Sequence, residues 1–542
     1  MTDIEIPIGK RTKQYRFFEI LPFAISASAI ILLVIFSLVS PLIASIYVLV
    51  IVLMMFVRAI GIAFRTIQGQ TIFKKARKAP WHQWLKELEN PQEYAKQRKN
   101  DINSRRYGLR RHVLNLQHLS EIEGEYPRPS EIIHMDIIAF SSESYDVLKL
   151  TLQSFADSDY DVKNHLIVVI AYEERGGQAA LDTVASIKKN WQGVFRDLIF
   201  VAHPDGIPNE VAGKGANLTC AGRYMAKWVE KRGINPENII VTSQDSDNHP
   251  DPNYFACLTY EWIVAPNRQR ASFQPVCLFT NNIWDAPAPM RVIAASNSFW
   301  NVISSMRPHS LRNFASHAQG MAALIGMDFW SVRTAVEDGH QYWRSYFYFD
   351  GDYEVIPLRA SIGQDAVLAA TFRKTLWAQF KQLRRWGYGA SDVAYVAKNI
   401  WRKDRTVKFW TSFAKFFRLL EGHVTLACMA PIIAIGAWVP LFINPMAASH
   451  SLIAHELPRT IGRVQQIAIV GLFITVFTSL TMLPPRPKRY NRAKGVMMVL
   501  QWVLMPINAI IYSSASSYTA QFLLVSGKYM EVFEVTEKTV KK

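Results

Sequence analysis

Cysteine is scarce in this chain, and the four that occur, Cys220, Cys257, Cys277 and Cys428, stand far apart. No C-x-x-C spacing and no paired histidines accompany them, which excludes a zinc ribbon and a disulfide framework and fits a reducing compartment. Internal repeats and low-complexity tracts are missing too. Acidic residues are fewer than basic ones, 44 against 61 in 542 residues, for a formal charge of +17. The basic surplus clusters beside apolar runs, where anionic head groups attract it, so membrane lipid rather than nucleic acid is the expected partner.

Charge of either sign is absent from Ile20 to Val57. Ser40-Pro41 interrupts that run midway, so it reads as two spans of roughly 20 residues each joined by a tight turn. Lys10, Arg11, Lys13 and Arg16 precede it and Arg58, Arg65, Lys74, Lys75, Arg77 and Lys78 follow, placing both ends in the cytoplasm by the positive-inside rule. A secretory leader is the competing reading, but the second span follows too closely for one. Mean hydropathy is only +0.03. Long apolar runs are therefore diluted by a large hydrophilic middle, which disfavours a pure channel or carrier.

Between about Met135 and Gln364 short β-rich runs alternate with helical stretches, as expected of a parallel α/β sheet. The clearest strands are Met135-Phe140, Leu166-Ala171, Asp197-Ala202 and Ile239-Ser243, with helical stretches at Ser144-Ala156 and Asn217-Arg232. The basic, aromatic stretch from Val393 reads as an interfacial segment with Trp401, Phe409, Trp410 and Phe417 inserted, or as an ordinary surface helix. Three apolar runs close the chain: Val424-Ile443, Val464-Leu483 and one beginning at Val496, which Pro506 is expected to bend into a re-entrant hairpin. The expected divisions are 1–78 for the amino-terminal segment and hairpin, 79–134 for a helical linker and 135–392 for the catalytic domain. The interfacial segment follows at 393–423, about three carboxyl-terminal spans at 424–527 and a cytoplasmic tail at 528–542.

Four short elements carry candidate chemistry. Gln244-Asp245-Ser246-Asp247 follows an apolar strand, and residues two apart on an extended backbone point the same way, so two carboxylates meet at a strand's carboxyl end. Such hard oxygen ligands suit Mg²⁺ or Mn²⁺ shared with a diphosphate, although D-x-D is also common in ordinary loops. Gly213-Lys214-Gly215-Ala216-Asn217 is a glycine-flanked lysine ahead of a helix, able to approach phosphate closely or merely to start that helix. Val336-Glu337-Asp338-Gly339-His340 sets carboxylates among aromatics, where one can take a proton from a hydroxyl; a solvated helix turn is the plain alternative. Gln382-Leu383-Arg384-Arg385-Trp386 offers guanidinium to diphosphate and indole to a sugar face, or simply anchors the chain to a membrane.

In that order, between an amino-terminal hairpin and carboxyl-terminal spans, these elements resemble the inverting family-2 glycosyltransferases of the membrane-bound cellulose synthase and hyaluronan synthase-like group. The resemblance covers roughly Met135 to Trp386, and Phe533-Glu534-Val535-Thr536-Glu537-Lys538 is similar to the family's closing motif with phenylalanine for tryptophan. It implies a GT-A-type domain with a mixed, mainly parallel sheet, two amino-terminal and about three carboxyl-terminal membrane helices, and an interfacial helix. It further implies that Asp245 contacts the nucleotide diphosphate, Asp247 and Asp245 hold the metal, and Lys214 and Asn217 seat the nucleotide. Asp338 matches the general base, and Gln382, Arg385 and Trp386 match the motif that holds diphosphate and acceptor near the membrane.

Three departures stand out, the first in the loop Ala139-Phe140-Ser141-Ser142-Glu143-Ser144, which lacks the family's usual proline and asparagine. Ala171-Tyr172-Glu173-Glu174 ends the second strand where the family has an aspartate pair reading the base, which puts Glu173 in the substrate site. Gln244 replaces a frequent hydrophobic residue. The expectation is an inverting, metal-dependent transferase in a bacterial-type plasma membrane, its catalytic domain cytoplasmic. Its donor is expected to be a nucleotide diphosphate sugar, UDP-linked, and its acceptor a glycan or lipid-linked molecule. Processive polymer synthesis, single addition to a lipid or protein, and a catalytically degenerate scaffold are the competing forms.

Overall fold

Proline fixes the first turn of the molecule. Thr12 caps helix α1 (Lys13–Val39) by accepting from the Tyr15 amide. Pro41 disfavours a helical Ser40, which is extended at φ −158° and ψ 111°, and then opens α2 (Pro41–Ala76) where its missing N–H is harmless. The computed structural model describes residues 4–530 except 123 and 125, so the closing motif at 533–538 lies outside the described residues.

The eight-stranded sheet has the order β3-β2-β1-β4-β7-β6-β8-β5. The four expected strands are β1 (Ile133–Phe140), β2 (Leu166–Glu173), β3 (Asp197–His203) and β4 (Ile239–Asp245), mutually parallel where they pair. To these are added β5 (His249–Pro250), β6 (Ala271–Leu278), β7 (His317–Gly320) and β8 (Glu354–Gly363). β7 pairs antiparallel with both β4 and β6, which makes the sheet mixed. Runs such as Leu166-Ile167-Val168-Val169-Ile170 are apolar on both sides because separate cores cover the two faces. In the helical stretch between α2 and β1, Trp81, Trp84, Leu88 and Leu116 of helices Trp81–Leu88 and Leu109–Glu121 join the core of the sheet with Phe255 and Tyr260. β2 and β4 flank β1 on opposite sides, which opens a crevice at the carboxyl ends of β1 and β4.

Among the described residues, four helices are long and apolar enough to cross a membrane: Lys13–Val39, Pro41–Ala76, Phe409–Ile435 and Arg492–Ser526. α1 leaves the sheet domain beside Phe409–Ile435, with Phe18 against Phe416 at the near end and Leu33 sharing a cluster with Ala437 at the far end. α2 returns beside Leu452–Met482, from Val48 and Leu457 in that far cluster to Gln70, which donates to the Thr478 carbonyl at 2.9 Å.

Two expectations are corrected here. The 393–423 segment is not one element: Asp392–Ile400 is a buried helix, and Phe409–Ile435 runs without a break into the first carboxyl-terminal span. Buried Val393, Tyr395 and Val396 pack with Trp343 and Tyr346, while Trp410 and Phe417 are exposed. The run from Val496 also makes no hairpin at Pro506. Helix continues through Arg492–Ser526 by way of a 3-10 turn at Gln501–Leu504 and a π segment at Ala509–Ala515. Pro506 sits at the start of a helical turn, where a missing N–H breaks no bond. Both ends of this helix meet the sheet-domain side. Before it, the Trp284 indole donates to the Pro484 carbonyl at 3.1 Å, and after it Arg16 donates to the Leu524 and Val525 carbonyls at 2.9 and 2.8 Å.

Candidate active site

The crevice deepens into a cavity of about 730 Å³, lined at one end by Glu173, Lys214, Asp245, Asp247, Asp338 and Arg385. Asn217, Gln382 and Trp386 line it too, so every residue singled out from the sequence faces the same space.

β4 ends at Asp245, and a turn follows in which the Asn248 amide donates to the Asp245 carbonyl. Asp247 is buried, its Oδ2 accepting from the Asp365 amide at 3.1 Å while Asn281 donates to its carbonyl at 2.9 Å. Gln364 donates to Asp245 Oδ2 at 3.4 Å and to Asn248 Oδ1 at 3.0 Å. These supporting residues were not legible in the sequence. They arrive because β5, two residues past the acidic turn, pairs antiparallel with the end of β8.

Lys214 opens the helix Lys214–Lys231, and its ammonium lies 2.8 Å from Asp245, 3.3 Å from Asp338 and 3.9 Å from Glu337. Burial opposes its charge, but Asp245, Asp338 and Glu337 outweigh burial and hold its pKa above the ordinary value. Gly215 permits this approach: a Cβ there would meet the Ser331 carbonyl oxygen at 2.5 Å and Glu337 Cβ at 2.9 Å. Glu337 and Asp338 begin the helix Glu337–Tyr348, which is pinned two residues on by His340 Nδ1 at 2.6 Å from Asp392. Burial, only partly offset by Lys214, raises the Asp338 carboxyl well above its usual range, and the Glu337 and Asp245 charges raise it further. Glu337 is raised by burial as well, against Lys214 and Arg385, and among the described residues its Oε2 has no hydrogen-bond partner. Burial lowers the Arg385 pKa against the pull of Glu337, Asp245 and Asp338.

Some assigned residues have further structural duties. Asn217 is buried and donates to the Ala171 carbonyl at 2.9 Å, tying its helix to the end of β2. Its Oδ1 has no partner among the described residues. Glu173 is also buried, 3.1 Å from His203 Nδ1 and 3.3 Å from Arg175 Nε. Gln382 accepts from Gln379 at 3.0 Å, and Trp386 leans on Phe279 with ring centroids 6.2 Å apart.

The donor set fits a magnesium-like ion in one specific sense. Among the described residues no group of three or more histidine, cysteine or acidic side chains could hold a metal by itself. Asp247 and Asp245 at a strand end suit an ion that takes one or two carboxylates and completes its shell with phosphate oxygens and water.

The sheet order, the switch-point crevice and the attached helices define an α/β domain with a mixed, mainly parallel sheet, joined to helices of membrane-crossing length. No protein-family profile matches the chain. No curated protein matches it either. Among solved structures it is similar to the mannosyltransferase PcManGT from Pyrobaculum calidifontis in complex with GDP-Man and Mn²⁺, at 13% identity and TM-score 0.38 over 78% of this chain and 98% of that one. It is similar to S. aureus TarS 1-349 at 11% identity and TM-score 0.32, covering 73% and 93% of the two chains. GalNAc-T7 with UDP, GalNAc and Mn²⁺ follows at 9% identity and TM-score 0.30, covering 56% and 58%. All three are distant likenesses of shape.

Proposed function

We propose that this protein is a membrane-embedded glycosyltransferase that moves a sugar, with inversion, from a nucleotide diphosphate sugar to an acceptor hydroxyl. The observation that carries the reading is the convergence of Lys214, the Asp245–Asp247 turn, Asp338 and Arg385 on one cavity, which continues past Trp386 to the membrane helices.

Asp338 accepts the acceptor's proton, and the resulting oxygen attacks the anomeric carbon. The bond from that carbon to the diphosphate oxygen breaks, and its electron pair leaves with the diphosphate. One displacement inverts the centre. Lys214 and Arg385 stand where they can offset the charge on the departing group. Mg²⁺ or Mn²⁺, held by Asp247 and Asp245 when bound, supplies Lewis-acid stabilisation of the same charge. Glu173 is assigned to accept an N–H of the base, with a UDP-sugar the expected donor. The catalytic body, residues 135–392, works on the cytoplasmic side of a bacterial-type plasma membrane.

Purified protein should hydrolyse or transfer from one member of a radiolabelled nucleotide-sugar panel in the presence of Mg²⁺ or Mn²⁺. Asp247→Ala should lower that turnover by roughly 10²–10³-fold, the scale of losing one stabilising group for transition-state charge, with little change in melting temperature. Turnover equal to the parent would refute the metal assignment. Product length on the same gel separates a polymer synthase from a single-addition enzyme, and a parent with no donor turnover would be a scaffold.

A further inference from the structure

We infer that the acceptor is a glycolipid whose sugar is joined to its lipid through phosphate, and that this phosphate seats on Arg312 and Arg418 at the membrane end of the cavity. The inference rests on the glycosyl-transfer reading of the same cavity.

The cavity has ends of opposite sign. Past the carboxylates it is lined by Arg312 and Arg418 together with Asn297, Asn301 and His423. Arg312 follows the turn Pro308–Ser310, and its guanidinium lies over the Trp343 ring, 5.8 Å from the centroid. Arg418 projects from the helix Phe409–Ile435 between buried Phe416 and Leu419. Neither arginine has an ion-pair partner among the described residues. The carboxylates at this end have nearer partners: Asp392, whose charge also reaches Arg312, is 2.6 Å from His340, and Glu421 is 2.5 Å from Arg58. Further positive charge stands close by. Burial, together with Arg65, Arg418 and Arg58, holds the Arg307 pKa below its ordinary value.

Unpaired guanidiniums at a partly desolvated wall favour an anion, and their planar fork matches phosphate oxygens. Basic residues that merely anchor a span point outward to head groups, whereas Arg312 stands on a loop in the cavity wall. The anion cannot be the nucleophile at Asp338, because Glu337, Asp338 and Asp245 would repel it there. With the donor diphosphate assigned to Lys214 and Arg385, anion and reacting hydroxyl become different parts of one acceptor, the sugar reaching Asp338 and the phosphate remaining at the arginines. Apolar walls border the cationic end: Leu419, Leu426, Phe314 and the half-exposed Trp300, whose ring meets Phe314 at 5.1 Å. Exposed Val57 and Phe64 on α2 and Phe417 on its neighbour supply surface for a hydrocarbon chain.

The test measures binding of radiolabelled prenyl phosphoglucose to the detergent-solubilised full chain, against prenyl glucoside lacking the phosphate and against inorganic phosphate. The phosphosugar should bind about tenfold to a hundredfold tighter than the glucoside, the range set by hydrogen bonds to charged groups. That preference should vanish in Arg312→Gln/Arg418→Gln and shrink in Arg418→Gln, whose exposed position guards against misfolding, with melting temperature as the control. Equal binding of the two prenyl probes, or a preference that survives both variants, overturns the inference. So does inorganic phosphate displacing the probe as well as unlabelled phosphosugar does, since the site would then bind a free anion. Nucleotide-sugar turnover of the parent reads the transfer proposal separately: turnover with equal probe binding sinks this inference alone, and no turnover sinks the transfer reading.

Discussion

Lys214 sets the electrostatics of the site residue by residue. Its ammonium is the shared neighbour of Asp245, Asp338 and Glu337, so it lowers a pKa that burial and the two other acids raise. As the proposed base, Asp338 must be ionised to take a proton, so activity should rise with pH through a limb lying above the ordinary carboxylate range. Glu337→Gln removes a like charge and should move that limb to lower pH. Lys214→Gln removes the opposing charge and should move it to higher pH. The pH dependence of kcat/KM in the three proteins checks both signs, and shifts in one common direction would remove Lys214 and Glu337 from the account.

Among the elements, the helix starting at Lys214 and the helix starting at Glu337 meet only because residue 215 has no side chain. Gly215→Ala should push Glu337 away from the lysine, lowering melting temperature and turnover together. In β1, burial pushes the Asp136 carboxyl up to about 7, with Gln244 donating to it at 3.1 Å. A carboxyl raised in the folded state stabilises the fold fully below its unfolded pKa and loses that contribution as pH rises through about 7. Asp136→Asn should therefore gain stability over the parent as pH rises across that window, read from denaturation midpoints at several pH values. The same pair gives Gln244 a structural duty: it bridges buried Asp136 and Asn248. The four parallel strands were legible as short apolar runs between polar stretches, and the acidic turn because one such run leads straight into Asp245-Ser246-Asp247. Gln364, Asp365 and the His203–Glu173 contact were not, because antiparallel β5–β8 pairing and neighbouring strand ends leave no local pattern. Nor could composition show that the aromatic segment after Ile400 continues into a span, since one unbroken helix carries charge at one end and apolar residues at the other.

At the scale of the whole molecule, two outgoing and two returning helices leave the last helix with both ends on the sheet-domain side. A cysteine at Ser449 should react with a membrane-impermeant maleimide on intact cells, whereas cysteines at Lys488 and Lys528 should react only after permeabilisation; all three positions are exposed. Labelling of Lys528→Cys on intact cells would mean that Arg492–Ser526 crosses the bilayer. The central claim, that the carboxylates around Lys214 perform sugar transfer, is tested most directly by Asp338→Asn, with donor affinity measured by calorimetry and transfer by radiolabel. Donor affinity should be unchanged and transfer lowered by roughly 10²–10⁴-fold, the range for a lost general base. Transfer at the parental rate, or a loss explained wholly by weaker donor binding, would contradict it.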